Sequence, residues 1–207
     1  MPWPNTTHDW ATSVDADHLA DIRRRPQELA PGGGLHLLLE VIAYAADEAA
    51  ERGSGSCRVT LHADGSLAVT DDGRGTDTRL DEHGQAVKKP VMSTQDLRFF
   101  DAPDTPLLPD GHARRGMSVV AALSEWLVHR NRRHNGAWTQ RYEQGMPVTD
   151  LLPLEADGTT GTTVHFLPAP TVRPTLAALP SSQFEMLTRW PSLAVEIIDE
   201  RPGTATS

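Results

Sequence analysis

Cysteine is almost missing from this chain: Cys57 stands alone among 207 residues. A disulfide framework needs pairs and a thiolate metal cage needs several ligands, so neither holds this fold together. No apolar run approaches the ~20 residues of a membrane-spanning helix, and no membrane partner is expected. The opening MPWPNTTHDW lacks the apolar stretch of a secretory leader, so a cytoplasmic location is the expectation. Positive charge is scarce too. Lys and Arg number 19 against 28 Asp and Glu, for a net charge of −9. A surface of that sign has no footprint for a phosphate backbone, so autonomous DNA binding is not expected. The local cluster Arg130, Arg132 and Arg133 is too small to reverse this.

What is present fits one globular unit. Hydrophobic residues make up 38% of the chain and charged ones 23%. Residues 1–14, with Pro2, Pro4, Trp3 and Trp10, read as a flexible arm, either a docking segment or a flap. Residues 15–201 read as a single domain and 202–207 as a tail. The chain is organised around LHLLLEVIAYAADEAA, residues 35–50, a helix that carries Glu40 in an apolar run. At 3.6 residues per turn, positions 40, 44, 47 and 48 share a face, opposite Leu38, Val41, Ile42 and Ala45. That face is either a solvated acidic stripe or the wall of a site.

Around it the pattern changes period. DADHLADIRRR (15–25) is a short helix with acids first and arginines last, as the helix dipole favours. PGGG (31–34) reads as a flexible joint. CRVTLH and SLAVTD alternate apolar and polar residues around an Ala-Asp-Gly turn, which predicts a hairpin. It runs into Asp71-Asp72-Gly73-Arg74-Gly75, either an ordinary polar turn or a loop whose glycines admit a ligand. Residues 76–115 are rich in Pro and Gly and read as a long irregular segment with a short helix near 91–98. GMSVVAALSEWL predicts a second helix over 117–127, preceded by Arg114, Arg115 and Gly116. That junction suits an anion or is simply the start of a core helix. A hairpin over 127–145, a strand in TTVHF, and a helix and strand over 181–201 complete the chain. Strands in runs, few helices and no repeated strand–helix–strand unit imply an α+β fold: a two-layer sandwich, a mixed β-sheet with helices on one face.

In this order the pieces resemble the ATPase domain of the DNA gyrase B protein and related type II topoisomerases, the GHKL or Bergerat fold. The resemblance rests on LADIRRRP, LHLLLEVIAYAADEA, DGSLAVTDDGRG, GMSVVAALSEWL, RYEQGMPVTDL, GTTGTTVHFLP and VEIIDER, in succession. It implies ATP or ADP as ligand and roles for particular residues. Glu40 matches the general base that activates water. Asp71 matches the acid that receives the adenine amino group, Gly73 and Gly75 the loop that closes on the base, and Thr162 the threonine beside that acid. Arg74 and Glu48 match a salt-bridged pair that shapes the pocket, and Arg114, Arg115 and Gly116 fall in the phosphate-wrapping lid, 95–116.

Two departures limit what the resemblance implies. The family places an Asp and a magnesium-binding Asn where this chain has Ala43 and Tyr44, and a phenol is a poor ligand for a hard cation. Asp47, one turn on, is a weak substitute, so a magnesium ion is not expected. The lid GHARRG has arginines where the family has glycines, so it would grip phosphate by side chains if at all. The chain also ends where the family's ATPase domain ends, so a complete topoisomerase is not expected. The leading expectation is an ATP- or ADP-binding regulatory or interaction module with weak or no hydrolysis and an unidentified protein partner. A slow ATPase using Glu40, or a domain that binds only proteins, are the alternatives.

Overall fold

The computed structural model describes residues 14–76, 82–83, 90–100, 102–173, 180 and 183–202. The expected arm therefore lies outside the described residues except for Val14, and the tail except for Pro202. Helix α1 (Ala16–Arg24) starts on Asp15, whose carboxylate accepts the His18 N–H at 2.9 Å, and buries Leu19 and Ile22. Pro26 ends it and opens the short α2 (Pro26–Leu29). The PGGG segment is a hydrogen-bonded turn rather than a loose joint: Gly33 N–H donates to Ala30 and Gly34 N–H to Val172. Helix α3 (Gly34–Arg52) follows and stops at Gly53, in the left-handed conformation that glycine tolerates.

Strands β1 (Gly55–Leu61) and β2 (Leu67–Asp71) form the expected hairpin. The segment expected to hold a helix near 91–98 has a single 3-10 turn, Pro90–Met92. Helix α4 (Met117–Ala122) is shorter than its sequence suggests. The Ser124 hydroxyl donates to the Val120 carbonyl at 2.7 Å, and from Ser124 the chain is β3 (Ser124–Arg133). A short apolar run satisfies both helical and strand periods. Here pairing with β4 (Gly136–Glu143) on one side and β7 (Gly161–Pro168) on the other decides for strand. Short strands β5 (Met146–Pro147) and β6 (Leu152–Pro153) both pair with β4. The helix expected in 181–201 is one turn, α5 (Phe184–Leu187), and β8 (Leu193–Asp199) closes the chain.

The strands form one mixed sheet in the order β5-β4-β3-β7-β2-β1-β8. β1 and β8 run parallel, and the other neighbours antiparallel. Helix α3 packs on β1, β2, β7 and β8, and α4 on β3 and β4, so a helical layer covers one face. The core between the layers holds Leu38, Ile42, Val59, Leu67, Leu127 and Phe166, all essentially inaccessible to solvent. This is the two-layer α+β sandwich expected from the sequence. Because Thr70 pairs with Thr163, the end of β2 meets the start of β7 beneath α3, which brings Asp71 beside Thr162.

Phe166 lies at the centre of this core. Replacing it with Ala removes a fully buried ring, and the expected loss is about 3–5 kcal/mol of unfolding free energy. Urea denaturation checks this: the midpoint falls while the slope is kept.

Candidate functional site

A cavity of about 220 Å³ opens between α3 and the sheet. Val41, Ala45, Val69, Met92, Met117 and Val164 give it apolar walls. Its polar lining comes from Tyr44, Glu48, Asp71, Thr76, His129 and Thr162. The floor is Asp71. One carboxylate oxygen accepts the N–H groups of Gly73 at 2.8 Å and Thr162 at 3.2 Å, and the other accepts the Thr162 hydroxyl. Burial pushes the Asp71 carboxyl above its usual range, against these donors. A carboxylate seated on apolar walls is an acceptor for a donor on a flat ligand.

Two glycines make this floor possible. Gly161 has φ +124°, and a β-carbon there would collide with the Asp71 carbonyl. Gly75 has φ +74°, and a β-carbon would collide with the Arg132 carbonyl. Asn131, fully buried in β3, clamps the same loop. Its side-chain oxygen accepts the Thr76 N–H at 2.6 Å and its amide donates to the Thr76 carbonyl at 3.0 Å. Arg133 donates to the Gly75 carbonyl at 3.0 Å. At the rim Arg74 is bidentate to Glu48, at 2.7 and 2.8 Å, and also reaches Glu51 at 2.7 Å. The Arg74 guanidinium holds the Glu48 carboxyl below its usual range.

Beyond Tyr44 the surroundings change. The Tyr44 hydroxyl donates to Asp96 at 2.8 Å, and Arg98 grips the same carboxylate at 2.8 and 3.0 Å. Burial works against the Asp96 charge, but Arg98 and Tyr44 outweigh it and hold the carboxyl below its usual range. Arg114 is buried, donates to Asp47 at 2.8 Å and stacks over the rings of Phe99 and Tyr44, at 4.0 and 5.0 Å. Glu40 is completely buried. It accepts the backbone N–H of Arg115, lies 3.9 Å from Arg114 Nε and lies 3.7 Å from His36 Nε2. Burial raises the Glu40 carboxyl above its usual range. His36 is anchored in turn by Asp110, 2.8 Å from its Nδ1. Glu40 Oε2, His36 Nε2, and Arg114 Nε and Nη2 have no hydrogen-bond partner among the described residues.

The residues singled out in the sequence thus fall into two groups. Asp71, Gly73, Gly75, Thr162, Glu48 and Arg74 gather at the cavity. Glu40, Arg114, Arg115 and Gly116 gather behind Tyr44 and do not line it. Glu40 is therefore no solvated stripe. Arg114 is no exposed lid side chain: it is buried, with Nη1 on Asp47 and its guanidinium over two rings, while its Nε and Nη2 have no hydrogen-bond partner among the described residues. The donor set does not suit a magnesium ion: the Tyr44 hydroxyl gives its proton to Asp96, and Asp47 is paired with Arg114. Among the described residues no group of three or more His, Cys, Asp or Glu is placed to hold a metal. Sequence reasoning missed His36, Asp96, Arg98 and Asn131. His36 had a signal, one helical turn before Glu40; Asp96 and Arg98, in an irregular segment, had none.

No family model matches the chain. Among curated proteins it is 39% identical to the DNA gyrase B protein of Thermotoga maritima over 141 residues, 66% of this chain. It is 31% identical to the DNA topoisomerase 4 B protein of Bacillus subtilis over 175 residues, 80% of this chain. The matches cover 22% and 26% of those relatives, so the chain spans about a quarter of their length. Among solved structures, a topoisomerase IV ATP-binding domain of Francisella tularensis in complex with a small-molecule inhibitor superposes with a TM-score of 0.68. It is 23% identical, and the match covers 88% of this chain and 90% of that one.

Asn131 gives a test of how the cavity loop is held. Asn131→Ala leaves the Thr76 backbone without its clamp, and the expected destabilisation is about 1–3 kcal/mol. Hydrogen exchange at the Thr76 amide should speed up more than at amides of β3 and β7.

Proposed function

We propose, from the premise that the chain has the GHKL fold and resembles gyrase B and topoisomerase IV B over most of its length, that it binds ATP or ADP, hydrolyses it weakly or not at all, and acts as a regulatory or interaction module. The observation that carries the reading is the Asp71 floor. A half-buried carboxylate, oriented by Gly73 and Thr162 and flanked by apolar walls, accepts the exocyclic amino group of adenine while the walls cover its ring. Glu48 and Arg74 keep the rim in shape.

Weak hydrolysis follows from the other end. Phosphoryl transfer relies on positioned cations and a base that reaches the attacking water. Glu40 is completely buried behind Tyr44, with the Arg115 N–H on one of its oxygens. Arg114 is paired with Asp47. Neither is among the residues that line the cavity. The partner of such a module is a protein not identified by the chemistry of the cavity.

Calorimetric titration with ATP and ADP, with and without magnesium, tests the reading. Binding is expected and should not depend on magnesium. Asp71→Ala removes a charged acceptor, for an expected loss of about 10- to 100-fold in affinity, with the circular dichroism spectrum kept. Undiminished binding by the folded variant would remove Asp71 from the site. A magnesium-dependent turnover that Glu40→Gln abolishes would establish the slow ATPase instead.

A further inference from the structure

We propose that one internal water molecule is bound between α3 and the segment before α4, held by Glu40, His36 and Arg114, and that its bonding leaves it unable to act as a nucleophile. The water rests on the buried cluster alone; its consequence for hydrolysis rests on the nucleotide reading.

Three side chains with almost no solvent exposure, Glu40 and His36 at 0% and Arg114 at 5%, come together here. Half of their polar contacts are made. Glu40 Oε1 accepts the Arg115 N–H, His36 Nδ1 is on Asp110, and Arg114 Nη1 donates to Asp47. The atoms left over are Glu40 Oε2, His36 Nε2, and Arg114 Nε and Nη2. Glu40 Oε2 lies 3.9 Å from Arg114 Nε, and Glu40 Oε1 lies 3.7 Å from His36 Nε2. These separations are too long for direct hydrogen bonds and short enough for one small molecule to reach both sides. A buried polar atom without a partner is costly, and internal water with about two to four polar partners is the common remedy.

The partners dictate what the molecule is. The Asp110 carboxylate accepts, so His36 Nδ1 carries the ring proton and Nε2 of the neutral imidazole is an acceptor. Nε–H and Nη2–H of Arg114 form one edge of its planar fork. The site therefore presents two donors and two acceptors. A metal ion is refused by the guanidinium edge and an anion by the Glu40 carboxylate. Water accepts from both Arg114 groups and donates to Glu40 Oε2 and His36 Nε2, which leaves none of the four unpaired. Both of its lone pairs are then on Arg114. Attack on phosphorus needs a free lone pair, so a water held in this way on Glu40 is no nucleophile; it ties α3 to Arg114.

The full chain, without nucleotide, is crystallised for a high-resolution structure, and its long-lived internal waters are counted in solution by oxygen-17 relaxation dispersion. The expected result is an ordered water within about 3.2 Å of all four atoms. A direct Arg114–Glu40 ion pair with no density between would overturn the inference and leave the nucleotide reading standing, since no nucleotide is present. A water that misses either Arg114 donor would keep a free lone pair and overturn the chemical half. Nitrogen-15 shifts of His36 at about pH 8 should show the proton on Nδ1 alone. A proton on Nε2 would remove an acceptor and overturn the assignment. Arg114→Met keeps the length of the side chain without its donors. Once its melting curve shows it folded, the solution count should fall by about one water. An unchanged count in the folded variant would show that Arg114 does not hold the water. Should the variant not fold, the structure and the His36 shifts of the unaltered chain decide the matter.

Discussion

A carboxylate taken out of water needs donors, and Asp71 takes its donors from two distant parts of the chain. Gly73 lies two residues on, whereas Thr162 is 91 residues away on the neighbouring strand. The contact exists because β2 and β7 are paired in a register that sets their ends together, and because Gly161 lets β7 pass against the Asp71 carbonyl. A one-residue slip would turn every side chain of β7 to the other face of the sheet and separate the pair. Core packing of Phe166 and Val164 on the helical layer fixes the same register, so the stability of the sandwich and the placement of the acceptor have one cause.

At the other end of the cavity the binding chemistry is turned inward. A guanidinium buried like that of Arg114 needs a counter-charge and surfaces to lie on, and it has Asp47, Glu40 and the rings of Phe99 and Tyr44. Stacking of this kind contributes about 0.5–2 kcal/mol per ring in partly desolvated sites. Buried ion pairs add little net stability against an apolar filling, but they penalise any arrangement that leaves one member alone. Here Asp96 on Tyr44, Asp110 on His36 and Arg114 on Asp47 tie three points of the segment before α4 to α3.

Local signals carried most of the fold and the acceptor end of the site. Strand alternation, the Ala-Asp-Gly turn and the Asp71–Gly75 loop are short-range features, and each was legible in the chain. The boundary between α4 and β3 was not, since MSVVAALSEWL suits either period and the choice was made by pairing with β7, far along the chain. Asp96 and Asp110 were hidden for a related reason. Neither lies in a periodic segment, and each gains its meaning from a side chain on α3, Tyr44 or His36. The arginines of GHARRG were visible, but their direction was not. Whether a guanidinium faces a ligand or the protein depends on the carboxylates opposite it.

Those carboxylates lie on one stripe of α3, and the stripe explains why the two ends of the cavity behave differently. Positions 40, 44, 47 and 48 share a helical face, which meets the loop after β2 at one position and the segment before α4 at the others. Glu48 receives Arg74 from the loop after β2, while Asp47 and Glu40 receive Arg114 and the Arg115 N–H from the loop before α4. At Glu48 the arginine arrives from the rim and leaves the cavity open. At Asp47 it arrives over the ring of Tyr44 and is not among the residues that line the cavity. Two neighbouring acids of α3 therefore do different things: Glu48 shapes the rim of the cavity, and Asp47 anchors Arg114 away from its lining.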